Sequence, residues 1–191
     1  MDTTKFYPVK GLKDPDHFTI GCIGNFWEIK DQITLIKAVE KLIQIDMNNL
    51  RVIFIGSGAL LQKCKDYVAE HHLEKYFEFR AEIRHQDLCR FYNTLDLFVL
   101  PSYYEALGCV YTEAYACSVP FIGVEGQGIE ELVLPENRQY QLIKPSDAKE
   151  LSEKIAYFSN HRNFKPQLNR DIDINRLVKD FINTLEGFKK N

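Results

Sequence analysis

Two glutamates, Glu105 and Glu113, stand eight positions apart in YEALGCVYTE, directly after the apolar run DLFVLPS. An ionised carboxylate only accepts hydrogen bonds, so this pair suits a ligand that carries hydroxyls at two separate places. Gly108 lies between them and removes a side chain, which would let a ligand rest against the backbone N–H groups of Leu107, Gly108 and Cys109. A helix predicted from about Ala106 to Cys117 puts Glu105 at its entrance and Glu113 two turns inside. If both were helical, their directions would differ by about 80°, and one face could present both. A pyrophosphate would then meet the positive helix terminus, with a carboxylate near each end for sugar hydroxyls. The same residues also fit a plainer use, Glu105 complementing the helix dipole and Glu113 on a solvated face, and periodicity alone leaves both readings open.

Two other loops could do chemistry. In Gly24-Asn25-Phe26-Trp27-Glu28-Ile29-Lys30 the glycine allows close backbone approach, and Lys30 near a helix start brings a positive charge, a combination suited to phosphate. A surface lysine beside a turn is the alternative. Gly56-Ser57-Gly58 resembles part of a dinucleotide fingerprint, but Leu61 stands where a third glycine is needed, so a tight turn with close strand-to-helix packing is the reading preferred.

These loops need elements to position them. Strands are predicted at 18–24, 50–56, 77–79, 96–100, 119–124 and 140–143, alternating with helices near 30–46, 59–72, 86–93 and 106–117. A further helix opens near Ser146-Asp147, whose side chains can cap it, and a last one covers about 172–187, where Val178, Phe181, Ile182 and Leu185 suit core packing. Alternation of this kind marks an α/β fold, a Rossmann-like doubly wound parallel sheet of about six strands with helices on both faces. Such sheets bind ligands outside the carboxyl ends of their strands, where all three loops lie.

Composition limits the alternatives. A length of 191 residues with 45% hydrophobic content supports one sizeable core. The net charge of −3 lacks the basic footprint of a nucleic-acid binder. Cys22, Cys64, Cys89, Cys109 and Cys117 are odd in number and show no Cys-x-x-Cys pair, which fits buried thiols in a reducing compartment. His71 and His72 end a predicted helix and suit its dipole better than a metal, and the other histidines show no ligand spacing, so no metal site is expected. No apolar run approaches a membrane span and the amino terminus lacks the pattern of a signal peptide, so the expected location is cytoplasmic.

Pro101-Ser102-x-x-Glu105-Ala106-x-Gly108 with Glu113-Ala114-x-Ala116 and Val119-Pro120 resembles the signature of the GT4-like retaining glycosyltransferases, the GT-B families with a Glu-x7-Glu motif. Gly24 with Lys30 resembles that family's Gly-Arg…Lys loop, Gly56-Ser57-Gly58 its Gly-x-Gly turn, and Gly128-Ile129-x-Glu131 its Gly-Ile-Pro-Glu loop. Asp2 to Pro8 is similar to its interdomain segment, and the resemblance spans about residues 2–187. It implies an interdomain segment over 1–17 and a nucleotide-sugar donor domain over 18–191. The amino-terminal acceptor domain would be absent, the chain being an expressed fragment or half of a split enzyme, and inactive alone. The resemblance assigns Glu113 to ribose hydroxyls, Glu105 to the donor sugar, and the amides of Ala106, Leu107 and Gly108 to the diphosphate or sugar. Lys30 would neutralise the diphosphate, Gly24 and Asn25 would line the same site, and Glu82-Ile83 would lie against the base. Glu105 and Lys30 are the expected catalytic residues. No cofactor is implied beyond the donor substrate, a nucleotide-diphosphate sugar whose hexose passes to a glycan or lipid-linked acceptor held by the missing half. Peripheral membrane association of the full-length enzyme and homodimerisation of this chain through its last helix are further implications.

Two departures matter. Asn25 replaces the usual arginine and removes one of two cations, a loss of about 1.5–3 kcal/mol per charge-assisted hydrogen bond. The loop 136–140 lacks the glycine usual before the last strand. Two other classes stay open: a nicotinamide-dependent oxidoreductase using Gly56-x-Gly58, and a catalytically silent interaction domain.

Overall fold

A computed structural model describes the backbone of residues 1–188 and the side chains through residue 184; residues 189–191 lie outside the described residues. Six strands form one parallel sheet: β1 (Phe18–Ile23), β2 (Leu50–Ile55), β3 (Phe77–Arg80), β4 (Leu97–Val99), β5 (Phe121–Val124) and β6 (Leu142–Ile143). Their order is β3-β2-β1-β4-β5-β6, so the chain winds outward from β1 in one direction and, after crossing back, from β4 in the other. Phe18 pairs with Leu50 and Ile23 with Ile55, while Ile20 pairs with Leu97 on the other side of β1. The order reverses between β1 and β4, and the loops after these two strands face one crevice.

Seven α-helices accompany the sheet among the described residues: α1 (Gln32–Ile43), α2 (Leu61–Glu70), α3 (His85–Tyr92), α4 (Cys109–Ala116), α5 (Arg138–Gln141), α6 (Ala148–Asn160) and α7 (Ile174–Phe188). Right-handed crossovers put α1 and α2 on one face and α3 and α4 on the other. Helix α6 returns to the first face and packs on α1. The inner strands are buried on both faces, as covered parallel sheets require, and Phe54 stacks on Phe77 and on the partly buried Phe79 of the edge strand β3.

Four sequence expectations need correction. Helix α4 begins at Cys109, not Ala106, because Gly108 takes φ 69° and ends the preceding loop. The sixth strand is Leu142–Ile143 alone, since Tyr140 and Gln141 belong to α5, where Tyr140 stacks on Tyr157. Asp147 caps α6 by accepting from the Glu150 N–H at 2.8 Å, whereas Ser146 donates to Asp31 instead. The apolar side of α7 is not core: Val178 is 48% exposed and Phe181 64%, with Ile182 exposed beside them. The side chain of Leu185 lies outside the described residues. The periodicity marked a face correctly, but no described part of the chain covers it.

The segment 1–17 lies against the α3–α4 side. Phe6 is buried edge-on against Tyr92, and Asn93 donates to the Tyr7 carbonyl while accepting from the Val9 N–H. The Met1 amino group donates to Ile172 O, and Thr3 donates to Asp173 just before α7.

Candidate functional site

The loop after β4 carries the first expected group. Its turn is held by Ser102, buried, which donates to Ile29 O, and by the Tyr103 N–H, which donates to the same carbonyl. The loop after β1 is thereby tied to the loop after β4. Glu105 sits in extended loop three residues ahead of Gly108, so the two-helical-turn relation to Glu113 does not apply. Its N–H donates to Gln127 Oε1 at 2.8 Å and its carbonyl accepts from the Gly128 N–H. Gly128 is needed there, because a Cβ would lie 1.4 Å from Ala106 O.

Lys30 leaves a short 3₁₀ turn, Glu28–Lys30, just before α1 and forms an ion pair with Glu105 across the crevice. Their side chains are only 21% and 17% exposed, so the contact is largely screened from water. The sequence could not show that these two residues, 75 positions apart, meet.

Among the described residues the N–H groups of Ala106, Leu107 and Gly108 make no hydrogen bond to protein, and Gly108 caps α4 without a side chain. Three unspent donors therefore precede an uncapped helix terminus, an arrangement that attracts anionic oxygen. Glu113, inside α4, is 7% exposed, which rules out the solvated-face reading. Tyr92 donates to Glu113 Oε2 at 2.8 Å, and among the described residues nothing donates to the other oxygen. Burial, and then the Glu113 charge, push the Tyr92 phenol well above its usual range, so it keeps its proton and remains a donor. Tyr111, also buried, donates to Leu100 O beneath the same loop.

On the other side of the crevice, Gly24, Asn25, Glu82 and Ile83 line one cavity of about 230 Å³ with Ile55 and Gly56. Gln32, buried, holds that wall by donating to Gly24 O and Asn25 O. Gly24 itself is not tightly constrained, since an added Cβ would meet Leu100 at an ordinary 3.6 Å. The demanding glycines are Gly56 and Gly58, at φ 144° and 147°, where a Cβ would press to 2.3 Å of Gly24 O and 2.7 Å of Phe26 O. This Gly-x-Gly turn is filled by the β1–α1 loop, the packing use expected for it. Gln32, Tyr92 and Gln127 were missed in the sequence, because each acts on a residue whose proximity only the fold creates.

The cysteines and histidines lie mostly elsewhere. Cys22, Cys64 and Cys117 are buried, but Cys109 is exposed at the start of α4, contrary to the expectation of buried thiols. His71 is at the carboxyl-terminal cap of α2, where it meets Glu40 at 2.7 Å while stacking on Tyr67. No group of three or more His, Cys, Asp or Glu side chains converges among the described residues, and no described helix is long and apolar enough to cross a membrane.

Comparison with known proteins fits this geometry. The family described as glycosyl transferases group 1 matches residues 3–175. The chain is 29% identical over 157 residues to the putative teichuronic acid biosynthesis glycosyltransferase TuaC of Bacillus subtilis, covering 78% of this chain and 35% of that protein. It is 30% identical over 121 residues to a D-inositol 3-phosphate glycosyltransferase of Mycobacterium sp., covering 61% of this chain and 26% of that one. The chain thus spans about a third or less of these relatives. Among solved structures, sucrose-phosphate synthase from Thermosynechococcus elongatus superposes with TM-score 0.76 at 25% identity, over 85% of this chain and 42% of that one. The C-terminal domain of the group 1 glycosyl transferase LpcC from Francisella tularensis superposes with TM-score 0.75 at 21% identity, over 85% of this chain and 90% of that one, a likeness of fold.

Proposed function

The chain belongs to glycosyl transferases group 1, and from that premise we propose that it is the donor-binding, carboxyl-terminal half of a retaining glycosyltransferase of the GT4 kind. The donor is a nucleotide-diphosphate sugar, and its hexose passes to a glycan or lipid-linked acceptor. The observation that carries this reading is the row of unpaired N–H groups at Ala106, Leu107 and Gly108, set between the Lys30–Glu105 pair and the half-satisfied Glu113.

In this reading the diphosphate lies against those amides and the start of α4, where a departing nucleoside diphosphate gains negative charge that fixed donors stabilise without reorganising. Lys30 turns from Glu105 toward the phosphate, and the freed Glu105 carboxylate takes hydroxyls of the sugar ring. Asn25 offers no charge there, so Lys30 is the cation assigned to the phosphate site. The ribose binds the open oxygen of Glu113, held in place by Tyr92, and the base lies in the cavity beside Ile83. No cofactor takes part. Transfer itself requires the acceptor half, which closes the crevice against water, so the chain alone does not turn over efficiently. The exposed face of α7 packs on that half in the full-length enzyme; alone, it drives self-association of the chain.

The oxidoreductase reading is disfavoured by the Gly56-Ser57-Gly58 turn, whose open sides are occupied by the backbone of Gly24 and Phe26. Thermal unfolding with UDP, GDP, ADP, their sugar conjugates and NAD separates the readings. A nucleotide at 100 times its dissociation constant adds about 2.7 kcal/mol of stability. Stabilisation by one nucleoside diphosphate and its sugar is the expected result; stabilisation by NAD alone, or by none, would refute the donor-site reading.

A further inference from the structure

A second cavity, of about 630 Å³, opens at the same end of the sheet on the α1–α6 face, away from Glu113 and Ile83. It is walled by the 3₁₀ turn before α1 (Glu28, Asp31), the start of α2 (Leu60, Lys63), the loop after β4 (Tyr103) and the loop before α6. Its size is that of a small-ligand site. We propose that this cavity binds a neutral sugar unit, separately from the nucleotide.

The lining's unspent hydrogen-bonding capacity points to that class. Among the described residues the Glu28 carboxylate, the Tyr103 hydroxyl and the Lys63 ammonium make no hydrogen bond, and Asp31 uses only Oδ2, which accepts from Thr34 and Ser146. Acceptors and donors thus stand ready around one space, as a vicinal diol requires, since each sugar hydroxyl donates once and accepts. The Tyr103 ring, Leu60 and Ile33 add apolar surface for the C–H face of a pyranose. Cys64, in the same wall, is neutral, because burial pushes its thiol up to about 11. Desolvation, followed by the Glu28 and Asp31 charges, raises the Tyr103 phenol, which accordingly keeps its proton and donates. Two carboxylates against one ammonium repel a phosphate or carboxylate ligand.

The placement gives such binding a consequence. Glu28 and Asp31 flank Lys30, and Tyr103 lies two residues before Glu105, so a sugar here contacts both loops that carry the ion pair. The cavity therefore serves as a subsite next to the crevice, contributing positioning by sugar contacts that the nucleotide does not make.

Saturation-transfer NMR on the chain with methyl α-glucoside, methyl α-mannoside, methyl β-galactoside and N-acetylglucosamine, each at millimolar concentration, tests this without any nucleotide. At least one sugar is expected to receive saturation, to lose it in Tyr103→Ala, and to bind about tenfold more weakly in Glu28→Gln. Neither side chain makes a described hydrogen bond, so both variants should fold, and both should keep the nucleotide-induced stabilisation. Saturation of none of the four sugars overturns the proposal. So does a signal that survives Tyr103→Ala but disappears in Glu105→Gln, which would place the sugar in the crevice. Spermidine perturbing the Tyr103 resonances while the sugars do not would likewise overturn it, marking a cation site. Nucleotide binding can fail while sugar binding succeeds, and the reverse, so the two readings fall separately.

Discussion

Glu113→Gln should fold normally and lose about tenfold to a hundredfold in affinity for the nucleoside diphosphate. The amide oxygen can still accept from Tyr92, which keeps that buried phenol satisfied. What disappears is the charge that ribose hydroxyls would meet, and hydrogen bonds to a charged partner contribute about 1.5–3 kcal/mol each. Glu113→Ala separates the two roles, because it also strands the Tyr92 hydroxyl without its acceptor, a cost of about 1–3 kcal/mol in stability. Calorimetric titration beside urea unfolding checks both: the glutamine variant should move in affinity alone, the alanine variant in both. Equal affinity in wild type and Glu113→Gln would remove Glu113 from the donor site.

Gly128→Ala should damage fold and site together. The new Cβ would fall 1.4 Å from Ala106 O and 2.5 Å from Ala106 C, both backbone atoms that no rotamer change can move aside. The loop from Glu105 to Gly108 must shift, and with it the hydrogen bond from the Gly128 N–H to Glu105 O. Overpacking of this kind costs about 1–3 kcal/mol, seen as a lower urea midpoint, and the displaced amides should lose the nucleotide. Gly24→Ala is the contrast, because its Cβ enters ordinary contact with Leu100, 3.6 Å away, and stability should hardly change.

Much of the scaffold was legible because strand and helix periods differ. FTIGCI and LRVIFI are short, β-branched and bounded by glycine, and the helical spacing of Leu35, Ile36, Val39 and Leu42 allows one face only. The start of α4 was misplaced because Glu105, Ala106 and Leu107 are good helix formers, and the positive φ of Gly108 overrides that local preference. Tyr140 and Gln141 continue the pattern of Leu142 and Ile143, yet the Tyr140–Tyr157 stack draws them into a helix. In the candidate site, residue types at Glu105, Lys30 and Glu113 could be selected from their spacing and from the family resemblance. Their relations could not: the Lys30–Glu105 pair and the Tyr92–Glu113 hydrogen bond join residues far apart in sequence. For α7, helical period defines an apolar stripe without saying what covers it, so exposed Phe181 and buried Leu35 look alike in sequence.

In the proposed function the crevice between the β1 and β4 loops holds a nucleoside-diphosphate donor. A crystal structure of the chain with the most stabilising nucleotide sugar tests it most directly. Ribose hydroxyls are expected on Glu113, the diphosphate between Lys30 and the amides of Ala106 to Gly108, and the base beside Ile83. A nucleotide bound at the Gly56-Ser57-Gly58 turn, or anywhere that leaves the second Glu113 oxygen without a donor and Lys30 still paired with Glu105, would contradict it.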